Sequence, residues 1–148
     1  MNQRIEFIVY GDAKPAGSKR AFFRTGMKHP SVVDANPNSK PWKQQIAAVA
    51  REHYTGELLT GALRVTFRFV RVRPGNHYKG NGELSKAGRE SLGPTTRPDA
   101  LKLARAAEDA LTKVIWNDDA QIIEERLLKE WGSPARVEVT IENLRSPT

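Results

Sequence analysis

The side chains in this sequence with the clearest claim to chemistry are carboxylates. Asp99 follows Arg97-Pro98 at the head of a segment with helical apolar spacing, and Asp118-Asp119 follow that segment at a turn. Grouped carboxylates bind hard divalent cations, and a cation so held assists hydrolysis of phosphate esters. Each also has a plain structural alternative. Asp is a preferred helix N-cap, and an Asp-Asp pair suits an acidic turn. A helix over 100–115 is about 24 Å long at 1.5 Å per residue, so Asp119 approaches Asp99 only if the chain runs back along it.

Other chemistries drop out by composition. The chain has no cysteine, which removes disulfides, thiolate nucleophiles and Cys-ligated zinc. Its three histidines, His29, His53 and His77, stand singly, without a metal-ligand spacing. No apolar run reaches the roughly 20 residues of a membrane span, and the first ten residues carry Arg4 and Glu6, so the expectation is a cytoplasmic protein. At 148 residues a single domain is expected, here 1–148 with a loose tail at 145–148.

The net charge of +7 is uneven: residues 1–98 hold 17 basic and 7 acidic side chains, and residues 99–148 hold 7 and 10. A basic front that neutralises phosphates and an acidic back that supplies carboxylates is the division a nuclease needs. An incidental asymmetry is the alternative.

These groups must be positioned by the elements around them. Residues 4–10 read as a strand, followed by a basic breaker-rich loop with Lys14, Lys19 and Arg20. Phe22–Arg24 and Ser31–Val33 fit a short hairpin around Gly26. Asn38 or Ser39 caps a first helix with Trp42, Ile46, Val49, Ala50 and His53 on one face. Leu63, Val65, Phe67 and Phe69 alternate with polar residues as a strand. The aperiodic stretch 71–97 carries Arg71, Arg73, Lys79, Lys86, Arg89 and Arg97. A loop of that length is functional, here a cationic clamp for a nucleic-acid strand, or disordered without its ligand. The Asp99 helix buries Leu103, Ala107, Ala110, Leu111 and Val114, leaving Leu101, Arg105, Glu108 and Thr112 opposite. Residues 120–131 are ambiguous between helix and strand, and Val137, Val139 and Ile141 alternate as a final strand.

The run from Arg97-Pro98-Asp99-Ala100-Leu101-Lys102-Leu103-Ala104-Arg105 through Glu108-Asp109-Ala110-Leu111 to Asn117-Asp118-Asp119-Ala120-Gln121 resembles the RusA family of Holliday junction resolvases. The resemblance implies a small phage or prophage endodeoxyribonuclease, a homodimer that nicks four-way DNA junctions with Mg2+, Mn2+ being the substitute, and no small-molecule cofactor. Matched by position, Asp99 and Asp119 correspond to family catalytic aspartates, Asp118 to the neighbour of the second, and Arg105 to a catalytic lysine. The second Asp of the family pair falls on Leu101, and the following Asn on Lys102. Leucine cannot ligate a cation. Glu108, two turns after Leu101 on the same face, is the candidate replacement, and a solvated surface glutamate is the alternative.

Catalytic roles thus fall to Asp99, Asp119, Arg105 and Glu108, metal contacts to Asp99, Asp118, Asp119 and Glu108, and DNA contacts to the cations named above together with Lys102. The expected fold is α+β, a mixed sheet of four or five strands with two main helices. Residues 120–131 are assigned as a strand, because only a returning strand makes Asp118-Asp119 part of a site. A branched-DNA-binding protein that has lost cleavage through Leu101, and a basic phage accessory protein, are the rival readings.

Overall fold

A computed structural model describes residues 2–17, 19–22, 31–34 and 37–145, with backbone alone for 19–22 and 31–34. The Gly26 turn, the side chains of Lys19 and Arg20 and the end of the tail at 146–148 lie outside the described residues.

Alternating apolar residues build one four-stranded mixed sheet from β1 (Gln3–Tyr10), β4 (Leu63–Arg71), β5 (Ile122–Trp131) and β6 (Arg136–Asn143), in the order β1-β6-β4-β5. The β1/β6 and β4/β6 pairs are antiparallel, and β4/β5 is parallel. In register, Phe7 and Phe67 both lie opposite Val139, so the side chains of alternate residues in three strands share one face. That face is the core: Phe7, Val9, Val65, Phe67, Phe69, Val137, Val139 and Ile141 are buried against helices. The other face carries arginines and glutamates paired across strands, such as Arg64 with Glu124 and Glu142 at 2.8 Å each. A second, two-stranded sheet pairs β2 (Lys19–Phe22) with β3 (Ser31–Asp34), which puts the hairpin three residues earlier on its first arm than expected.

Two helices cover the core face. The first, α1 (Ser39–His53), buries Trp42, Ile46, Ala47 and Ala50. The other long helix, α3 (Ala100–Leu111), buries Leu103, Ala104, Ala106, Ala107, Ala110 and Leu111, and Lys43 of α1 reaches Asp109 of α3 at 3.2 Å. It ends four residues earlier than the periodicity predicts. Thr112 turns its hydroxyl back to the Glu108 carbonyl, Lys113 takes a positive φ of 69°, and the fully buried Trp116 swings into the core with its Nε1 on Thr112 Oγ1 at 3.1 Å. The demand of a large indole for the core overrides the continuing period.

Between β4 and α3 the basic stretch folds on itself, with a 3₁₀ turn at Gly75–His77 and a short helix α2 (Lys86–Glu90) that sequence patterning did not reveal. Arg73 clamps it, donating to the Gly88 carbonyl at 2.7 Å while its guanidinium lies 5.8 Å over the Trp131 ring. Buried His77 packs edge-on to the same ring at 5.3 Å, and Trp131 Nε1 donates to Ser91 Oγ at 2.9 Å. Among the described residues, no helix is long and apolar enough to cross a membrane.

Candidate metal and DNA site

The geometry starts at the turn after α3. Asp118 caps a single 3₁₀ turn, Asp119–Gln121, accepting the Ala120 N–H at 2.9 Å. Gln121 locks that turn from the other side: its Oε1 accepts the N–H groups of Asn117 and Asp118 at 3.0 and 2.8 Å. Its Nε2 donates to the carbonyls of Leu59 and Gly61 at 3.0 Å each. One aspartate and one glutamine are therefore committed to shaping the turn, and Asp119 is the carboxylate it presents.

The strand assigned to 120–131 is present as β5, and it does return along α3. Pairing of Val65 with Glu125 and of Phe67 with Leu127 puts Glu125, Leu127 and Lys129 on the core side of the sheet, toward the helices. At the start of the strand, Asp119 and Glu125 stand with Glu108 of α3. Burial and the charges of Glu125, Asp119 and Asp109 push the Glu108 carboxyl from its ordinary 4.5 up to about 7, against the pull of Arg105. Glu125 is raised by partial burial and by Asp119. Asp119 is raised by desolvation and by Asp118, with the Ala120 N–H opposing. Close carboxylates that disfavour one another's ionisation define the acidic end of the α3–β5 strip.

Asp99 lies at the other end. It occupies the N-cap position of α3, yet its carboxylate makes no capping bond, so the cap role that Asp commonly plays is not its role here. Lys129 is its neighbour: the ammonium donates to the carbonyls of Thr96 and Pro98 at 2.8 and 2.9 Å, and its acidity reflects burial and the nearby Arg71, offset by Asp99. Nine residues of helix at 1.5 Å, or four of strand at 3.3 Å, set the two ends about 13 Å apart. Asp119 and Glu125 thus act on Glu108 at one end of the strip, and Asp99 acts on Lys129 at the other.

Oxygen-only donors fit a hard divalent cation, and mutual repulsion among Glu108, Asp119 and Glu125 is what such a cation relieves. As oriented, no group of three carboxylate or imidazole side chains among the described residues is arranged around a single point. Holding an ion therefore requires rotamer changes in the long Glu108 and Glu125 side chains.

The expected DNA contacts divide by environment. Lys14 pairs with Asp12 at 3.5 Å and Arg71 with the same carboxylate at 3.8 Å, whereas Arg73 serves the Trp131 clamp. Lys86 pairs with Glu90 at 3.8 Å, and Arg89 donates to the Leu84 carbonyl at 2.9 Å. Lys79, Arg97, Lys102 and Arg105 are exposed. Arg97 and Lys102 line an open cleft of about 480 Å³ with Pro15, Pro98 and Asp99, and beside Pro15 the Ala16 N–H donates to the Lys102 carbonyl at 3.0 Å. A larger concavity of about 1010 Å³ lies on the ion-paired outer face of the sheet and is lined by none of the predicted site residues.

Sequence reading missed Glu125, Gln121 and Lys129. The signal for Glu125 was available once 120–131 is taken as a strand, since alternation places it with Leu127 and Lys129.

The chain is thus a basic α+β domain, a mixed four-stranded sheet in which the helix α3 is followed by the carboxylate-bearing edge strand β5. The chain is matched over residues 12–142 by the model of the family described as Endodeoxyribonuclease RusA, and it belongs to that family. It is also 31% identical over 140 residues to the "Uncharacterized protein YqaN" of Bacillus subtilis (strain 168), an alignment covering 95% of this chain and 96% of that one.

Proposed function

We propose that the protein is a divalent-metal-dependent endodeoxyribonuclease that cleaves four-way DNA junctions, acting as a homodimer. The observation that carries this reading is the shared negative charge of Glu108 on α3, Asp119 in the turn before β5 and Glu125 on β5, in a chain that belongs to an endodeoxyribonuclease family. Glu108 and Glu125 compensate for the carboxylate that the family motif has where this chain has Leu101.

Asp119, Glu108 and Glu125 would hold Mg2+ or Mn2+, which supplies Lewis-acid charge at the scissile phosphate and lowers the pKa of water beside it. Asp119 is fixed for this by the Asp118 and Gln121 bonds behind it. Arg105, exposed on the same helix face one turn before Glu108, offers positive charge to the phosphate as its charge grows. Arg guanidinium keeps its proton, so Arg105 acts electrostatically and not as a proton donor. Asp99, with Arg97 and Lys102 around the cleft, positions the strand that enters the site, and Lys79, Arg97 and Lys102 contact backbone phosphates without reading bases.

A second reading has its own observation: Leu101 is 67% exposed on α3, an apolar side chain where the family has a ligand. In that reading the protein binds branched DNA and cuts nothing. Incubating a synthetic four-way junction and a linear duplex with the protein and Mg2+ or Mn2+ separates the two. Paired nicks confined to the junction and lost in Asp119→Asn support the nuclease, and tight binding without nicks under every metal condition supports the binder.

A further inference from the structure

Lys129 is a half-buried cation to which the functional reading gives no task. From β5 its ammonium donates to the Thr96 and Pro98 carbonyls, just ahead of α3. A neutral amide bridges two carbonyls elsewhere in this chain, where Gln121 Nε2 donates to Leu59 and Gly61. Position 129 carries a full charge instead, although burial and the neighbouring Arg71 both disfavour it, and Asp99 is the side chain that favours it.

Asp99 indicates what that charge does. Its carboxylate shares one cleft with Arg97 and with Lys102, three residues on along the helix, a spacing at which opposite charges ordinarily pair. Among the described residues it pairs with neither, and it makes no capping bond. The further cation acting on it is Lys129, which does not line the cleft. We propose that Lys129 is a positioning residue for DNA binding: it holds the Asp99 carboxylate off Arg97 and Lys102, and so leaves both cations free for backbone phosphates. Without the ammonium, Asp99 turns to one of its two neighbours, and a cation paired in this way must give up its carboxylate before it meets a phosphate. The proposal rests on the functional reading in that a DNA strand passes the cleft, and it does not depend on cleavage.

Equilibrium binding of a labelled four-way junction by the full chain, in EDTA and over a range of salt, tests it. Lys129→Gln keeps amide donors for the carbonyls and Lys129→Met keeps none. Each should weaken binding about tenfold and lower the slope of log affinity against log salt by about one, with circular dichroism unchanged. Lys129→Arg keeps the charge and should restore the parent's affinity. In an Asp99→Asn background, Lys129→Gln should cost less than about threefold, because no carboxylate is left to take the cations. Weakening by Lys129→Met alone reduces Lys129 to a structural tether, and an equal loss with or without Asp99 means that the two act separately. Either result overturns the proposal, as does a Lys129→Arg variant that binds no better than Lys129→Gln. A parent without affinity for the junction removes the functional reading together with this proposal, whereas a parent that binds and nicks it while Lys129→Gln binds equally well removes the proposal alone.

Discussion

At the residue scale the account turns on Glu108, whose carboxyl is lifted to about 7 by burial and by Glu125, Asp119 and Asp109. A carboxylic acid with a raised folded-state pKa binds its proton more tightly in the folded chain. Its contribution to stability is therefore greatest at low pH and is lost as the pH rises from about 4.5 to about 7. Glu108→Gln removes that loss. The variant should match the parent in melting temperature near pH 5 and exceed it near pH 8, as thermal unfolding across that range would show. A parent that melts higher than the variant at pH 8 contradicts the repulsive cluster. Added Mg2+ should raise the melting temperature of the parent at pH 8, by an amount that shrinks in Glu108→Gln and in Asp119→Asn, because a ligand bound only to the folded chain stabilises it. An equal shift in all three proteins would place the ion elsewhere. Asp118 is the contrasting case: its bond to the Ala120 N–H makes Asp118→Asn a change in turn geometry, milder in its effect on the ion than Asp119→Asn.

At the scale of elements, the arm between β4 and α3 is held by Arg73, His77 and Trp131, and Gly88 of α2 sits against the His77 backbone. A β-carbon at Gly88 would fall 2.3 Å from the His77 carbonyl oxygen, so Gly88→Ala must displace backbone. That should cost on the order of 1–3 kcal/mol, read by denaturant unfolding, and should open the arm to limited proteolysis. Unchanged protease resistance and stability would mean that α2 yields freely. The legibility of the sequence also differs by element. The half-buried strands were readable because Ile5, Phe7 and Val9, and later Val137, Val139 and Ile141, alternate cleanly against the core. Residues 122–131 were not, because Glu, Leu and Lys favour helix, and their strand state comes from pairing with β4, a contact made 60 residues away. The end of α3 was misplaced because the apolar period runs on to Val114 while Trp116 pulls the chain into the core. Asp99 and Asp119 could be singled out by type and place, but their separation could not, since it depends on how far along α3 the strand begins. The arm's internal order was hidden for a similar reason: its clamp joins Arg73 to Trp131, far apart in sequence and without a periodic signal.

At the scale of the whole molecule, the charge asymmetry becomes a division of surfaces. The carboxylates gather at one end of the α3–β5 strip, exposed cations Arg97 and Lys102 flank the cleft at the other, and the outer sheet face pairs its own charges. Junction binding should accordingly weaken with salt, and Lys102→Ala should lower the slope of log affinity against log salt by about one, with no change in preference for branched over linear DNA. An unaltered slope would remove Lys102 from the phosphate contacts. The central claim, that Glu108, Asp119 and Glu125 form the working acidic site of a junction nuclease, is tested most directly by cleavage of a labelled four-way junction at saturating protein with Mg2+ or Mn2+. The comparison is of the parent with Glu108→Gln, Glu125→Gln and Asp119→Asn. Paired metal-dependent nicks in the parent, reduced about a hundredfold or more in each variant while junction binding persists, are the predicted result. Full cleavage by Glu108→Gln and Glu125→Gln, or a parent that binds the junction and never nicks it, would contradict it.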